Sequence, residues 1–164
     1  MKNANTVVVS ELLSPAAINL KLASLDRNSV LGELVNQIPE LAKQAAARQK
    51  LLRALQQREQ LHSTGVGDGV ALPNAREALV GVVDHALIVF GRHAQGIAFG
   101  AIDNVPARLF FLLVAPSVTE HLAILARLSR LLREAKLRQA LLTADRPDRV
   151  IELIREAEDR MSSK

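Results

Sequence analysis

Two apolar runs, Ala86-Leu87-Ile88-Val89-Phe90 and Ala107 to Ala115, constrain this chain more than any other feature. Each is bounded by turn-forming residues: glycine-containing segments flank the first, and Asp103-Asn104 and Pro116 bracket the second. Runs this apolar and this short read as strands covered on both faces. Such strands need helices to cover them. The candidates are a segment behind Asp26 with Val30, Leu31, Leu34, Val35 and Ile38 at helical spacing, and an Ala/Leu/Gln/Arg-rich stretch from Glu40 to Gln60 that closes at His62. Beyond Pro116, Ser117 or Thr119 offers a cap to a helix with an apolar stripe of Leu122, Leu125, Leu128, Leu131 and Leu132, and with Arg127, Arg130 and Arg133 facing outward. A short helix over Ala135–Leu142 follows. A last one starts at Asp145 and Pro147, with Val150, Ile151 and Ile154 inward.

Shorter strands are expected at Val7–Val9, Ala17–Leu22, Val70–Leu72 and Ile97–Phe99, with Pro73 ending a ladder or lying on an edge. Several of these strands are joined too closely for parallel crossovers. The expected fold class is therefore α/β, a single domain with a mixed β-sheet flanked by helices. At 164 residues, 49% apolar and 23% charged, one domain can bury a sizeable core.

The composition narrows function by exclusion. No cysteine means no disulfide framework and no thiolate metal site. Leu109–Ala115 is far too short to cross a bilayer, and no apolar stretch follows a basic start at the N-terminus, so a cytoplasmic location without membrane insertion is the default expectation. The net charge of +4 comes from 21 Lys+Arg against 17 Asp+Glu, with arginines at 53, 58, 76, 127, 130, 133 and 138. Without Trp or Tyr and with four Phe, the chain has no aromatic platform for bases, and nucleic-acid binding is not expected.

The stretch from Leu61 to Arg76 is where chemistry concentrates. It carries His62, Ser63 and Thr64 and then Gly65, Gly67 and Gly69, three of the eight glycines. Converging backbone amides in such a stretch suit an anion, and a tight turn into a strand is the plainer reading. The spacing matches neither the Rossmann fingerprint nor the Walker loop. His62, His85, His93 and His121 lack the spacing and acidic neighbours of a metal site, and no metal or cofactor is expected. His85 and His93 flank an apolar strand and read as solvent-facing. His121 sits in the first turn of a helix beside Glu120, where a bound anion and a neutral imidazole are both favoured; an exposed first-turn histidine is the alternative.

Three ordered blocks carry a family resemblance. They are Arg58-Glu59 followed by Ser63-Thr64-Gly65-Val66-Gly67 and Gly69-Val70-Ala71-Leu72-Pro73; Gly96-Ile97-Ala98-Phe99 with Ile102-Asp103 and Pro106; and Glu120-His121-Leu122 with Leu125-Ala126, Leu128-Ser129 and Leu131-Leu132. Together they resemble the fructose/mannitol-type enzyme IIA domain of the sugar phosphotransferase system, in style closest to its nitrogen-regulatory relative. The resemblance runs from Leu13 to Ala157 and implies a domain over 13–157 with flexible termini at 1–12 and 158–164. It implies a phosphate pocket holding Arg58 and His121, with Ser63, Thr64 and Gly65 able to contribute. It also implies an HPr-like phosphocarrier and regulatory target proteins as partners; oligomeric state is not implied.

The resemblance breaks at residue 74. The family places a phosphorylated histidine directly after the Ala-x-Pro, and here Asn74 stands there. An imidazole nitrogen has an in-plane lone pair that attacks phosphorus, whereas an amide nitrogen has its pair delocalised into the carbonyl. The resemblance thus implies a regulatory IIA-type protein working by protein–protein contact without phosphorylation at residue 74. Two alternatives stay open: a phosphoryl carrier that uses His62 or His121 instead, and a His-to-Asn variant of an ordinary IIA protein.

Overall fold

The computed structural model describes residues 7–75 and 81–162; Arg76 lies outside the described residues. Its centre is one antiparallel pair. Strand β4 (Leu87–Ile97) runs against β5 (Ala107–Val114) with Phe90 opposite Phe111 and Val89 opposite Leu112. The pair grows on both sides into a five-stranded mixed sheet. Strand β1 (Ile18–Asn19) adds parallel to β4, β3 (Val70–Ala71) adds parallel to β5, and β2 (Gly65–Gly67) closes the edge antiparallel to β3, giving the order β1-β4-β5-β3-β2.

Side-chain alternation divides the core in two. Ile88, Phe90, Leu109, Phe111 and Leu113 face α3 (Val118–Leu131), α4 (Ala135–Thr143) and α5 (Pro147–Ser162). Leu87, Val89, Phe110, Leu112 and Val114 face α1 (Arg27–Val35) and α2 (Ala45–Leu61). All four phenylalanines work in edge-to-face pairs, one per layer: Phe90 with Phe111 at 5.1 Å and Phe99 with Phe110 at 5.5 Å. Helix α1 lies close on the sheet because residue 91 is glycine: a Cβ there would stand 2.7 Å from both Leu22 Cδ1 and Leu34 Cδ2.

The caps form where the sequence offers them. Asp26 Oδ1 accepts the Ser29 amide at 2.8 Å, and Ser117 Oγ accepts the Glu120 amide at 3.2 Å. Elsewhere the structure revises the sequence reading. Val9–Leu12 forms a 3₁₀ turn rather than a strand, and it is not loose: the Val9 and Ser10 amides donate to the buried Glu158 carboxylate at 2.8 and 2.9 Å. Arg127 does not simply face outward, since its Nε lies 3.6 Å from Glu158. The strand expected at Ala17–Leu22 shrinks to two residues, and of the one expected at Ile97–Phe99 only Ile97 is in a strand, as the last residue of β4.

His93 is a clear correction. It is 4% exposed inside β4, its Nε2 reaches Ser24 O at 2.8 Å, and its Nδ1 accepts the Gly96 amide at 3.0 Å. One acceptor and one donor partner fix a neutral ring with the proton on Nε2, and that is why a histidine tolerates this burial.

The central pair carries most of the packing, so its loss should outweigh that of any cap. Phe111→Ala is expected to cost about 3–5 kcal/mol in urea unfolding. Ser117→Ala is expected to cost about 1 kcal/mol. Equal small losses for both would contradict this account.

Candidate functional site

An open groove of about 510 Å³ lies where α2, the end of β3 and the start of α3 meet. Ala54, Gln57, Arg58 and Leu61 line it from α2, His62 from the following residue, Asn74 and Ala75 from beyond β3, and His121, Leu122 and Leu125 from α3. Four of the residues singled out from the sequence, Arg58, His62, Asn74 and His121, therefore share one cavity.

Asn74 owes its place to the way the ladder passes Pro73. Proline has no N–H, but its carbonyl accepts the Leu113 amide at 3.0 Å, and a parallel bridge resumes between Asn74 and Leu113. The ladder carries on through a residue expected to end it. Asn74 is thereby held at the rim of the sheet, 6% exposed. Its Nδ2 donates to Leu72 O at 2.6 Å, which turns Oδ1 toward His121 Nε2 at 3.1 Å. With the amide so oriented, His121 Nε2 is the donor and carries the ring proton. His121 is 2% exposed, so the pair is a buried hydrogen bond rather than a surface contact.

The burial of His121 corrects the expected phase of α3. The buried face is His121, Ile124, Leu128 and Leu131, while Leu122 is 46% exposed and lines the groove with Leu125. Leu122 belongs to the groove wall, whereas Leu125 lines the groove and also packs, partly buried, against the core. Leu61, 73% exposed, supplies the facing apolar rim.

Arg58 sits in the last turn of α2, where its Nη1 donates to His62 O at 2.7 Å, so the guanidinium caps its own helix end and carries positive charge at the groove. His62 is exposed. Ser63, Thr64 and Gly65 do not line the groove. Ser63 Oγ donates to Phe99 O and accepts the Gly65 amide at 2.9 Å. Thr64 donates its hydroxyl and its amide to Glu59, the amide at 3.0 Å. The glycines build a hairpin turn: Gly67, Asp68 and Gly69 all have positive φ, and the Asp68 amide is taken by Asp103 Oδ2 at 2.8 Å. Among the described residues, no group of three or more His, Asp or Glu side chains is arranged to hold a metal ion.

Glu59, which packs beneath this wall, is 3% exposed. Burial pushes its carboxyl above the usual range, against the opposing pull of the Thr64 hydrogen bonds and the Arg27 and Arg58 charges.

With this geometry in hand, comparison with known proteins is decisive at the level of family. The profile of the phosphoenolpyruvate-dependent sugar phosphotransferase system EIIA 2 family matches residues 11–157. The chain belongs to this family. The fructose-specific EIIABC component of the phosphotransferase system from Bacillus subtilis is 35% identical over 148 residues, which is 89% of this chain but 23% of that protein. A nitrogen regulatory protein of Bradyrhizobium diazoefficiens is 34% identical over 128 residues, 77% of this chain and 80% of that one. Among solved structures, the nitrogen regulatory protein IIA-Ntr of Neisseria meningitidis superposes with a TM-score of 0.79 at 26% identity, covering 90% of this chain and 99% of its own. The mannitol IIA of Escherichia coli shares the fold, with a TM-score of 0.72 at 24% identity over 87% of this chain and 98% of its own. No helix among the described residues is long and apolar enough to cross a membrane.

Glu59 gives this site a measurable pH signature. A carboxyl whose folded pKa is raised binds its proton more tightly in the native state than in the unfolded chain. The cost of burying the charge is absent below the unfolded value of about 4.3 and grows as pH rises through the folded value. Glu59→Gln removes that cost and keeps an acceptor for Thr64. Its melting temperature relative to the unaltered chain is expected to be most favourable near pH 8 and to lose that advantage toward about pH 4. An advantage that grows on acidification would show that the carboxylate is stabilised by its partners instead.

Proposed function

We propose that this chain is a regulatory IIA-type protein of the phosphoenolpyruvate-dependent phosphotransferase system, acting in the cytoplasm by protein–protein contact without phosphorylation at residue 74. The observation that carries this reading is the Asn74 side chain. Its nitrogen has no lone pair to offer phosphorus and is already donating to Leu72 O. Its oxygen holds His121 Nε2 as a donor, which leaves that nitrogen without a lone pair as well. Neither of the two nitrogens that meet at this point, Asn74 Nδ2 and His121 Nε2, offers a lone pair to phosphorus.

What remains suits recognition. Leu61, Leu122 and Leu125 give the groove apolar walls, and Arg58 and His62 give it polar hydrogen-bonding groups at one end. An HPr-like phosphocarrier and a regulatory target protein are the partners this reading assigns to that surface. The relatives named as nitrogen regulatory proteins add support for regulation over sugar uptake.

One feature favours a second reading. His62 is exposed and lines the same groove, so it is the histidine on which a relocated phosphoryl group would sit. Incubation with phosphoenolpyruvate and purified general phosphotransferase proteins separates the two. The unaltered chain is expected to acquire no acid-labile label, and Asn74→His is expected to acquire it. Label on the unaltered chain that disappears in His62→Gln would overturn the first reading and establish the second.

A further inference from the structure

Away from the groove, the layer under α4 holds a group of arginines short of acidic partners. Arg92 projects from β4 opposite Leu109, beside Arg108 of β5. Its Nη1 donates to Leu141 O at 3.0 Å and Ala144 O at 2.7 Å, the free carbonyls at the end of α4, and its Nε reaches Leu20 O at 3.3 Å. Those contacts hold the guanidinium rigid without neutralising it. Burial lowers the Arg92 pKa, and the neighbouring Arg108 charge adds to that lowering.

Arg108 is the unusual member. It is half-buried, its Nε is shut off from solvent, and no side-chain or backbone acceptor among the described residues meets its guanidinium. Its position is nonetheless imposed. Both the Arg108 and Leu109 amides donate to Gly69 O, at 2.8 and 3.0 Å, so the strand bulges there. The arginine stem lies against Gly96, where a Cβ would come within 3.2 Å of Arg108 Cγ. Arg138 of α4 approaches the same Gly67–Gly69 turn. Its Nη1 is pinned by Leu132 O and Arg133 O at 2.7 and 2.9 Å, and its Nη2 stands 4.0 Å from Asp68, a carboxylate whose side chain is 70% exposed.

We propose that Arg92, Arg108 and Arg138 form a second anion site, separate from the groove, that binds a small phosphate dianion, either inorganic phosphate or a phosphate monoester. The chemistry follows from the donors. Guanidinium forks match tetrahedral phosphate oxygens, and a half-buried arginine with an idle Nε–H gains both a counter-charge and a hydrogen-bond acceptor when an anion arrives. Asp68, the carboxylate that Arg138 approaches, is largely in water and screens weakly. The inference does not depend on the regulatory reading, because none of the three arginines lines the groove.

The test is calorimetric titration of the whole protein with inorganic phosphate and, separately, with glycerol 3-phosphate, against sodium chloride of matched ionic strength. Saturable binding of phosphate or the monoester is expected, at least fivefold weaker in Arg108→Gln and a few-fold tighter in Asp68→Asn, which removes the competing charge without touching an arginine. The tighter of the two titrants identifies the source of the anion. Asp68 lies on the surface, so the second variant reads out even if the first fails to fold. Heats no larger than the chloride control would overturn the proposal. So would affinity unmoved in both variants, or affinity abolished by Arg58→Gln and unmoved by Arg108→Gln, which would place the anion in the groove.

Discussion

Everything in this molecule hangs on the antiparallel pairing of β4 with β5. Both strands are covered on both faces, so the pair cannot exist without helices on each side. Two helices on one face and three on the other satisfy it. The outer strands are short because they have less to do: β1 and β3 each contribute two residues, and β2 three, mainly to tie loops to the central pair. The groove exists because β3 extends beyond the sheet along β5, past Pro73, and delivers residue 74 between the end of α2 and the beginning of α3.

The site is therefore a product of backbone architecture first and side chains second. Leu113 fixes the height of Asn74, Leu72 fixes the rotation of its amide, and that rotation fixes the proton on His121. At residue 74 the chemistry is that of one amide side chain, held in the cavity by those contacts. Family membership rests on the chain as a whole, whereas the chemistry at this position rests on one side chain, and the two need not travel together.

The parts of this structure legible in the sequence are those set by local chemistry. The Asp26 and Ser117 caps, the two apolar strands and the helix after Pro147 each follow from residues within a turn or two of one another. The parts that were not legible depend on distant partners. His93 reads as a surface residue until Ser24 O and the Gly96 amide are seen on either side of it. Ser63 and Thr64 read as phosphate donors until Phe99 O and Glu59 take their hydroxyls. The α3 leucines show a third kind of obscurity: a helix rich in leucine offers several plausible apolar faces, and only tertiary packing chooses among them. Arg58, Asn74 and His121 share a cavity that only family resemblance could foretell, since no spacing rule places residues so far apart in one site.

The Glu158 carboxylate joins chain positions 149 residues apart, Val9 at one end and the final helix at the other. On a ribosome Val9 therefore appears well before Glu158 does. The Val9 and Ser10 amides have no acceptor of this kind until α5 has emerged, so the opening segment must wait for the closing one. A chain cut short before Glu158 lacks more than a helix, because its beginning has nothing to fasten to.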